Sequence, residues 1–560
     1  MKHFLPLSPH IPANFFIPMK KAYLFLSLLF ISFALLAQEV KPVKNVIMMI
    51  PDGTSIGVYS AARWFKYYNG MENKLHIDPY LSGTVSTFSS NAPIGDSAPT
   101  GSTYATGVLQ QVGNVGIHPT VSDNDLFPVD ANRTYQPAAN ILEASRIEKN
   151  KAVGLVVTCE FPHATPADFS AHHYNRGNYK VLAPQIAYQN IDVVFAGGNK
   201  ILTDDIKNHF ANNGTTLIQD DKEALLHYNG NGKVWALFDE KSMPYNIDKD
   251  LDKMPSLAEM TEKALEVLSK KPNGFFLMVE GSHVDWAAHA NDPATMIDEF
   301  LAFDEAVGKV MEFAEKDGNT AVVIASDHGN SGFSIGSRNC SGSSKLSLEQ
   351  LFGNVSKYKM STVALESVLM DTKPEKIKET FKEYTDIDLT DEELETLLSS
   401  KNYKESDYTQ VGTSNNLAYN IGKILNAKTC FGFTTGSHTG EEVLLASYHP
   451  QGDILKGNVK NTELNRYLQK VTGLEISLEE LSDRIFAKHD KVFLGMNYTI
   501  DKKDKDFPVL KVKKGKNTLE VRAFSSVAKL NGKPFDIGSV VIYIDKNDTF
   551  YLPVGLVEKL

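Results

Sequence analysis

Four short apolar runs constrain this chain more than anything else in it. They are Asn45-Val46-Ile47-Met48-Met49-Ile50, Ala152-Val153-Gly154-Leu155-Val156-Val157, Phe275-Phe276-Leu277-Met278-Val279 and Ala321-Val322-Val323-Ile324-Ala325. None alternates apolar with polar, so each reads as a strand covered on both faces, the signature of a parallel sheet. Between the last two, Met296, Phe300, Phe303, Val307, Val310 and Ala314 recur at steps of four and three, which lays one apolar stripe along a helix. Strand, helix and strand in that order predict an α/β three-layer sandwich around a mostly parallel sheet. In such folds ligands gather beyond the carboxyl ends of the strands.

At 560 residues the chain exceeds one small core, and 42% hydrophobic with 22% charged residues is ordinary globular composition. A net charge of −11 with no basic block gives no nucleic-acid-binding signal. Met19-Lys20-Lys21, an apolar run from Ala22 to Ala37 and then Gln38-Glu39 read as a secretory signal peptide, with Met19 as the expected start. The run is short for a membrane span, so the expectation is a periplasmic or secreted protein without a stable membrane anchor. Residues 1–37 are therefore set aside as upstream extension and leader. From about Ser341 to Ala427 the texture turns helical, acidic and lysine-rich, with Thr390 and Glu393 forming a capping box. That stretch is read as an insertion in a catalytic domain spanning 38–484. Beyond Ile485, Leu519 to Phe524 alternates, Asn531-Gly532 signals a hairpin and Val541 to Ile544 is strand-like, which predicts a small β-rich module over 485–560. Of three cysteines, Cys340 and Cys430 could pair in an oxidising compartment, and Cys159 reads as a buried free thiol.

Each apolar run ends in candidate metal ligands. The first leads to Asp52, the second to His163-Ala164-Thr165, the third to Glu280 and then Asp285, Trp286 and His289, and the fourth to Asp327-His328. His438 follows in Gly436-Ser437-His438-Thr439-Gly440. Asp285 and His289 are four residues apart, so on a helical turn both face one ion. Carboxylate with imidazole suits zinc, and Asp, Glu and Thr oxygens suit magnesium. An aspartate after one strand is most often a helix cap; five such groups, four at strand ends, are not explained that way. Asp96-Ser97-Ala98-Pro99-Thr100-Gly101 adds a serine in a small-residue turn opening into a possible helix. Beside metal ions, such a serine becomes a nucleophile.

On these residues, over roughly 45–475, the chain resembles the alkaline phosphatases of bacteria and mammals. The resemblance implies Ser97 as nucleophile and Arg176, eleven residues after Thr165, as phosphate clamp. It implies Asp52, Asp327 and His328 around the zinc next to Ser97, and Asp285, His289 and His438 around a second zinc. Asp52, Thr165 and Glu280 would then hold magnesium. Phosphate monoesters would be hydrolysed through a phosphoserine, by a homodimer. Two departures from enteric-type enzymes stand out. His163 occupies a position where they carry aspartate, and Trp286 one where they carry lysine. A nitrogen near the third ion favours zinc or cobalt as alternatives to magnesium, and Trp286 removes a positive charge near the phosphate.

Three other readings compete. Sulfatases need arginine where this chain has Gly101, and phosphodiesterase relatives typically use a threonine nucleophile. A non-catalytic metal- or phosphate-binding protein would not need nucleophile, clamp and ligands together.

Overall fold

The four apolar runs are the middle of the central sheet. The computed structural model describes residues 40–230, 232–400 and 416–560; the leader read over Met19–Ala37 lies outside them. In chain order the central strands are β1 (Asn45–Pro51), β2 (Leu81–Ser86), β3 (Ala152–Glu160), β4 (Val193–Gly197), β5 (Thr216–Gln219), β6 (Val234–Leu237), β7 (Phe275–Gly281), β8 (Thr320–Ala325), β9 (Val443–Tyr448) and β10 (Gly457–Lys460). Across the sheet they run β10-β2-β9-β8-β1-β7-β3-β4-β6-β5. β9 is antiparallel to both its neighbours, and every other pairing is parallel. β1, β3, β7 and β8 are buried along their whole length, as their unbroken apolar character requires.

Helices cover both faces, giving the expected three layers. Ile56–Tyr68, Leu257–Ser269 and Pro293–Asp317 pack on one side, where Ile47 and Met49 of β1 join the main core. Ser97–Thr106, Ile141–Ile147 and Asn461–Thr472 pack together on the other. The Pro293–Asp317 helix shows why the sequence folds this way. Asp292 caps it by accepting from the Thr295 amide, proline fills its first turn, and Gly318 closes it in the left-handed conformation at φ 64°. Its apolar stripe, Met296, Phe300, Phe303, Val307 and Val310, is buried, each side chain contributing about 1.5–3 kcal/mol relative to exposure.

Among the described residues, five short helices follow β8: Leu348–Phe352, Thr362–Asp371, Ile377–Thr385, Asp391–Ser400 and Leu417–Ala427. The Thr390–Glu393 capping box is formed at 2.8 and 3.1 Å. Cys340 and Cys430 form a disulfide across 90 residues, strapping the base of this region, while Cys159 is free and buried. Phe352, Leu365, Leu369, Phe381, Leu397 and Ile421 belong to the main core rather than to a separate one. After Ile485 come a five-stranded antiparallel sheet over 497–536 and a three-stranded sheet built from Ala487–Lys488, Ile542–Ile544 and Thr549–Leu552. Asn531 and Gly532, at φ 51° and 81°, turn the hairpin between Val527–Leu530 and Lys533–Asp536, the geometry a two-residue turn of this hand demands.

Candidate metal and phosphate site

Register brings the candidate ligands to one edge. Ile50 of β1 and Val157 of β3 both lie level with Glu280 of β7, so Asp52, Glu280 and the turn holding His163 leave the sheet together. Asp52, Asp327 and His328 form one buried group, and the buried Asp285 and His289 form another with the half-buried His438, each with donor atoms inside 4.8 Å of one another. Close approach explains Gly53: at φ +59° an added Cβ would sit 2.1 Å from Asp285 Oδ1, so only glycine fits there. The Gly53 amide donates to Asp327 Oδ1 at 3.1 Å, tying two strand ends together.

Ser97 begins the helix Ser97–Thr106, with Asp96 as its N-cap residue; the helix starts at the serine itself, within the stretch that the sequence presents as a small-residue turn. Ser97 Oγ lies 3.5 Å from both Asp52 carboxylate oxygens and 3.3 Å from His328 Nε2. Arg176 forms an ion pair with Asp96, so the guanidinium is anchored next to the serine.

Three histidines are aimed alike. Nδ1 faces a backbone carbonyl in each: Gly329 for His328, Gly436 for His289 and Gly95 for His438, at 3.1, 2.8 and 3.0 Å. A carbonyl takes the proton on Nδ1, which leaves the Nε2 lone pair for a cation. The His289 and His438 Nε2 atoms approach to 3.1 Å, with Asp285 oxygens 3.3 and 3.7 Å away. His328 Nε2 is 3.4 Å from Asp52 Oδ1 and 3.6 Å from Asp327 Oδ2. Asp327 Oδ2 and Glu280 Oε1 are buried without a hydrogen-bond partner, a costly state that a cation relieves.

The charges agree. Burial, and then the Asp327, Asp285 and Glu280 carboxylates, push the Asp52 carboxyl well above its ordinary value. Burial pushes Glu280 up to about 8 and raises Asp327. Asp285 goes the other way: burial opposes ionisation, but His289, His438 and His328 hold it well below the usual range. Burial and then His328 bring His438 down to about 3; burial and then Arg176 do the same for His163. Burial lowers His289 too, but the Asp285 carboxylate lifts it above its ordinary value; imidazoles facing crowded buried carboxylates are a donor set that divalent cations neutralise.

Thr165 lies in the short helix Ala164–Asp168, and its buried hydroxyl, like Glu280 Oε1, has no hydrogen-bond partner. His163 and Trp286 stand edge to face at 5.6 Å between ring centroids, both buried. All twelve sequence-derived candidates therefore line this edge of the sheet or the loops above it. Three contributors escaped the sequence reading. Asp96 carries no assigned role in the sequence, yet it holds Arg176 and joins His328 and His438 in a further cluster of donors. Cys159 groups with His163 and Glu280. Asn330 donates to Asp285 Oδ1 at 2.6 Å. The signal for Asp96 was its position beside Ser97; for the other two there was none. At Gly101 an added Cβ would meet Asp168 Oδ2 at 2.3 Å, which leaves no room for the arginine of a sulfatase.

The alkaline phosphatase family model matches residues 43–474. Alkaline phosphatase 3 of Bacillus subtilis is 30% identical over 455 residues, a match covering 78% of this chain and 91% of that protein. The solved Thermus thermophilus alkaline phosphatase superposes with a TM-score of 0.67 at 25% identity, covering 78% of this chain and 93% of the other. The cold-active enzyme of Shewanella sp. gives 0.65 at 26% identity, with 76% and 99% covered.

Proposed function

Since the chain belongs to the alkaline phosphatase family and is thereby a metal-dependent phosphomonoester hydrolase, we propose that Ser97 is its nucleophile and Arg176 its phosphate clamp. Asp52, Asp327 and His328 hold the zinc beside Ser97, and Asp285, His289 and His438 hold the second. Asp52, Thr165 and Glu280 hold the third ion, magnesium or, with His163 at its side, zinc or cobalt. When bound, the ions supply Lewis acidity, neutralising a phosphate dianion and lowering the pKa of hydroxyl and water oxygens.

The observation that carries this reading is the convergence of Nε2 atoms and buried carboxylates around Ser97 Oγ. Standing at the first turn of a ten-residue helix, the Ser97 oxygen feels the positive end of the helix dipole. Arg176 offers a planar fork to two phosphoryl oxygens, and Asp96 keeps that fork in place. Ser97 Oγ forms a bond to phosphorus as the ester oxygen departs with the alcohol. Water then cleaves the phosphoserine and restores the hydroxyl. Trp286 crowds this corner without adding charge, so phosphate is held more weakly than lysine would hold it.

Residues 38–484 form the catalytic part, with the insertion at about 341–427, and 485–560 are an accessory module. The leader composition supports export to the periplasm or medium, and the family resemblance supports a homodimer. Among the described residues no helix is long and apolar enough to cross a membrane.

Ser97→Ala should lower phosphate release from nitrophenyl phosphate by about a thousandfold or more. Release at the wild-type rate would end the serine mechanism. Equal rates on bis-(nitrophenyl) phosphate would instead make the chain a diesterase.

A further inference from the structure

The third ion's surroundings contain a sulfur. Cys159 is the penultimate residue of β3 and is fully buried. Its Sγ lies 3.5 Å from Glu280 Oε2, and its thiol, a ring nitrogen of His163 and a Glu280 oxygen all fall within 4.8 Å of one another. The backbone fixes this arrangement. Val157, two residues earlier on the same face of β3, is level with Glu280, and the Cys159 amide donates to Ser282 Oγ at 3.1 Å. Independently of the thiol, Glu280 Oε1 is buried with no hydrogen-bond partner.

We propose that Cys159 is a ligand of the third ion, adding with His163 a sulfur and a nitrogen to the oxygen donors already assigned to that ion, and that these softer donors select zinc or cobalt over magnesium. The inference rests on the reading that cations occupy this edge of the sheet. Thiolate and imidazole favour borderline-soft ions, whereas magnesium demands oxygen donors in near-octahedral array. On binding, the thiol proton is released to solvent as the sulfur–metal bond forms.

The chain allows a clean test. It has three cysteines, and Cys340 and Cys430 are joined to each other, so any thiolate–metal signal belongs to Cys159. The full-length protein is stripped of ions and reloaded with cobalt or cadmium. Wild type should develop an ultraviolet sulfur-to-metal charge-transfer band saturating at one equivalent per chain. Cys159→Ser should lack the band while binding two ions as before. Its preference for zinc over magnesium at the remaining site should fall by about 10–100-fold, at least the loss seen when a ligand's supporting partner is removed. Zinc-edge X-ray absorption on wild type alone should find one sulfur neighbour shared over the bound zinc, which needs no variant to fold. A fully loaded wild type without the band or the sulfur neighbour overturns the proposal, as does an unchanged band in Cys159→Ser. Three ions bound with full activity and no sulfur signal would remove Cys159 alone. A protein that holds no ions, or a Ser97→Ala variant as active as wild type, would remove the functional reading beneath it.

Discussion

Two buried polar clusters in this molecule use the same side chains to opposite ends. Under the helix Ile141–Ile147, Glu143 and His172 are fully buried, and every polar atom of the pair has a partner. Glu143 Oε1 accepts from His172 Nε2 at 3.1 Å and from Gln189 at 2.5 Å, and Oε2 accepts from the Asn140 amide at 3.0 Å. His172 Nδ1 meets the Gly116 carbonyl at 2.7 Å. At the sheet edge Asp52, Asp327, Glu280 and His328 are equally buried, yet Asp327 Oδ2 and Glu280 Oε1 are left without partners. Burial favours the neutral form of Glu143 too, but His172 and the surrounding hydrogen bonds bring its pKa below the ordinary value. Burial and carboxylate neighbours drive Asp52 in the other direction. A closed network supplies its own counter-charge; an open one takes it from cations.

Ion removal is the strongest way to break this comparison. Each ion held at a hundred times its dissociation constant stabilises the fold by about 2.7 kcal/mol, so three contribute about 8 kcal/mol. Chelation should abolish activity and lower the melting temperature steeply, with zinc restoring both. A melting temperature indifferent to chelator would mean that the open cluster is as self-sufficient as the closed one. Glu143→Ala attacks the other side. Losing one member of a buried pair costs about 3–5 kcal/mol, while activity per folded molecule and ion content should stay at wild-type levels. Loss of bound ions in Glu143→Ala would show that the clusters are not separate.

How legible each cluster was in the sequence follows the same division. Asp52, Glu280, Asp327 and His328 could be picked out because they end apolar runs, and a parallel sheet delivers strand ends to one edge. Asp285 and His289 were legible through helical spacing. Glu143 and His172 gave no such sign: their pairing depends on how a helix and a distant turn pack, which local pattern does not encode. Cys159 reads as buried and free from the sequence, but its neighbours come from the β3–β7 register, not from β3 alone. The C-terminal strands were legible by alternation and by Asn531-Gly532. What was not legible is that Val540, Ile542 and Tyr551 share a core with Ala139, Ala144 and Leu481, because alternation names a buried face without naming what covers it.

Asp96 sharpens the comparison from within the site, being an acid there with a side-chain cation of its own. Burial raises it, yet Arg176, His438 and His328 bring it below its ordinary value. Asp96→Asn keeps the shape and removes the charge that anchors Arg176. A hydrogen bond to a charged group is worth about 1.5–3 kcal/mol; part of that is screened here because both side chains are about one-fifth exposed. Inhibition by inorganic phosphate should weaken roughly tenfold, with the melting temperature nearly unmoved. Unchanged phosphate affinity would release Asp96 from its positioning role.

The smallest effect tests the closed cluster by its proton. Glu143 has a folded-state pKa below its unfolded value near 4.5, so between the two the unfolded chain binds more protons. Its stabilisation is therefore complete above the unfolded value and is lost as pH falls through the folded one. Glu143→Gln does not titrate. Subtracting its melting curve from that of wild type, between about pH 6 and pH 3, cancels ion loss and every other acid common to both. The difference should shrink steadily toward acid, each tenfold change in proton affinity being worth about 1.4 kcal/mol. A flat difference would mean that Glu143 is held no more tightly in the fold than in the open chain. The His172 pairing would then be geometry without energetic weight.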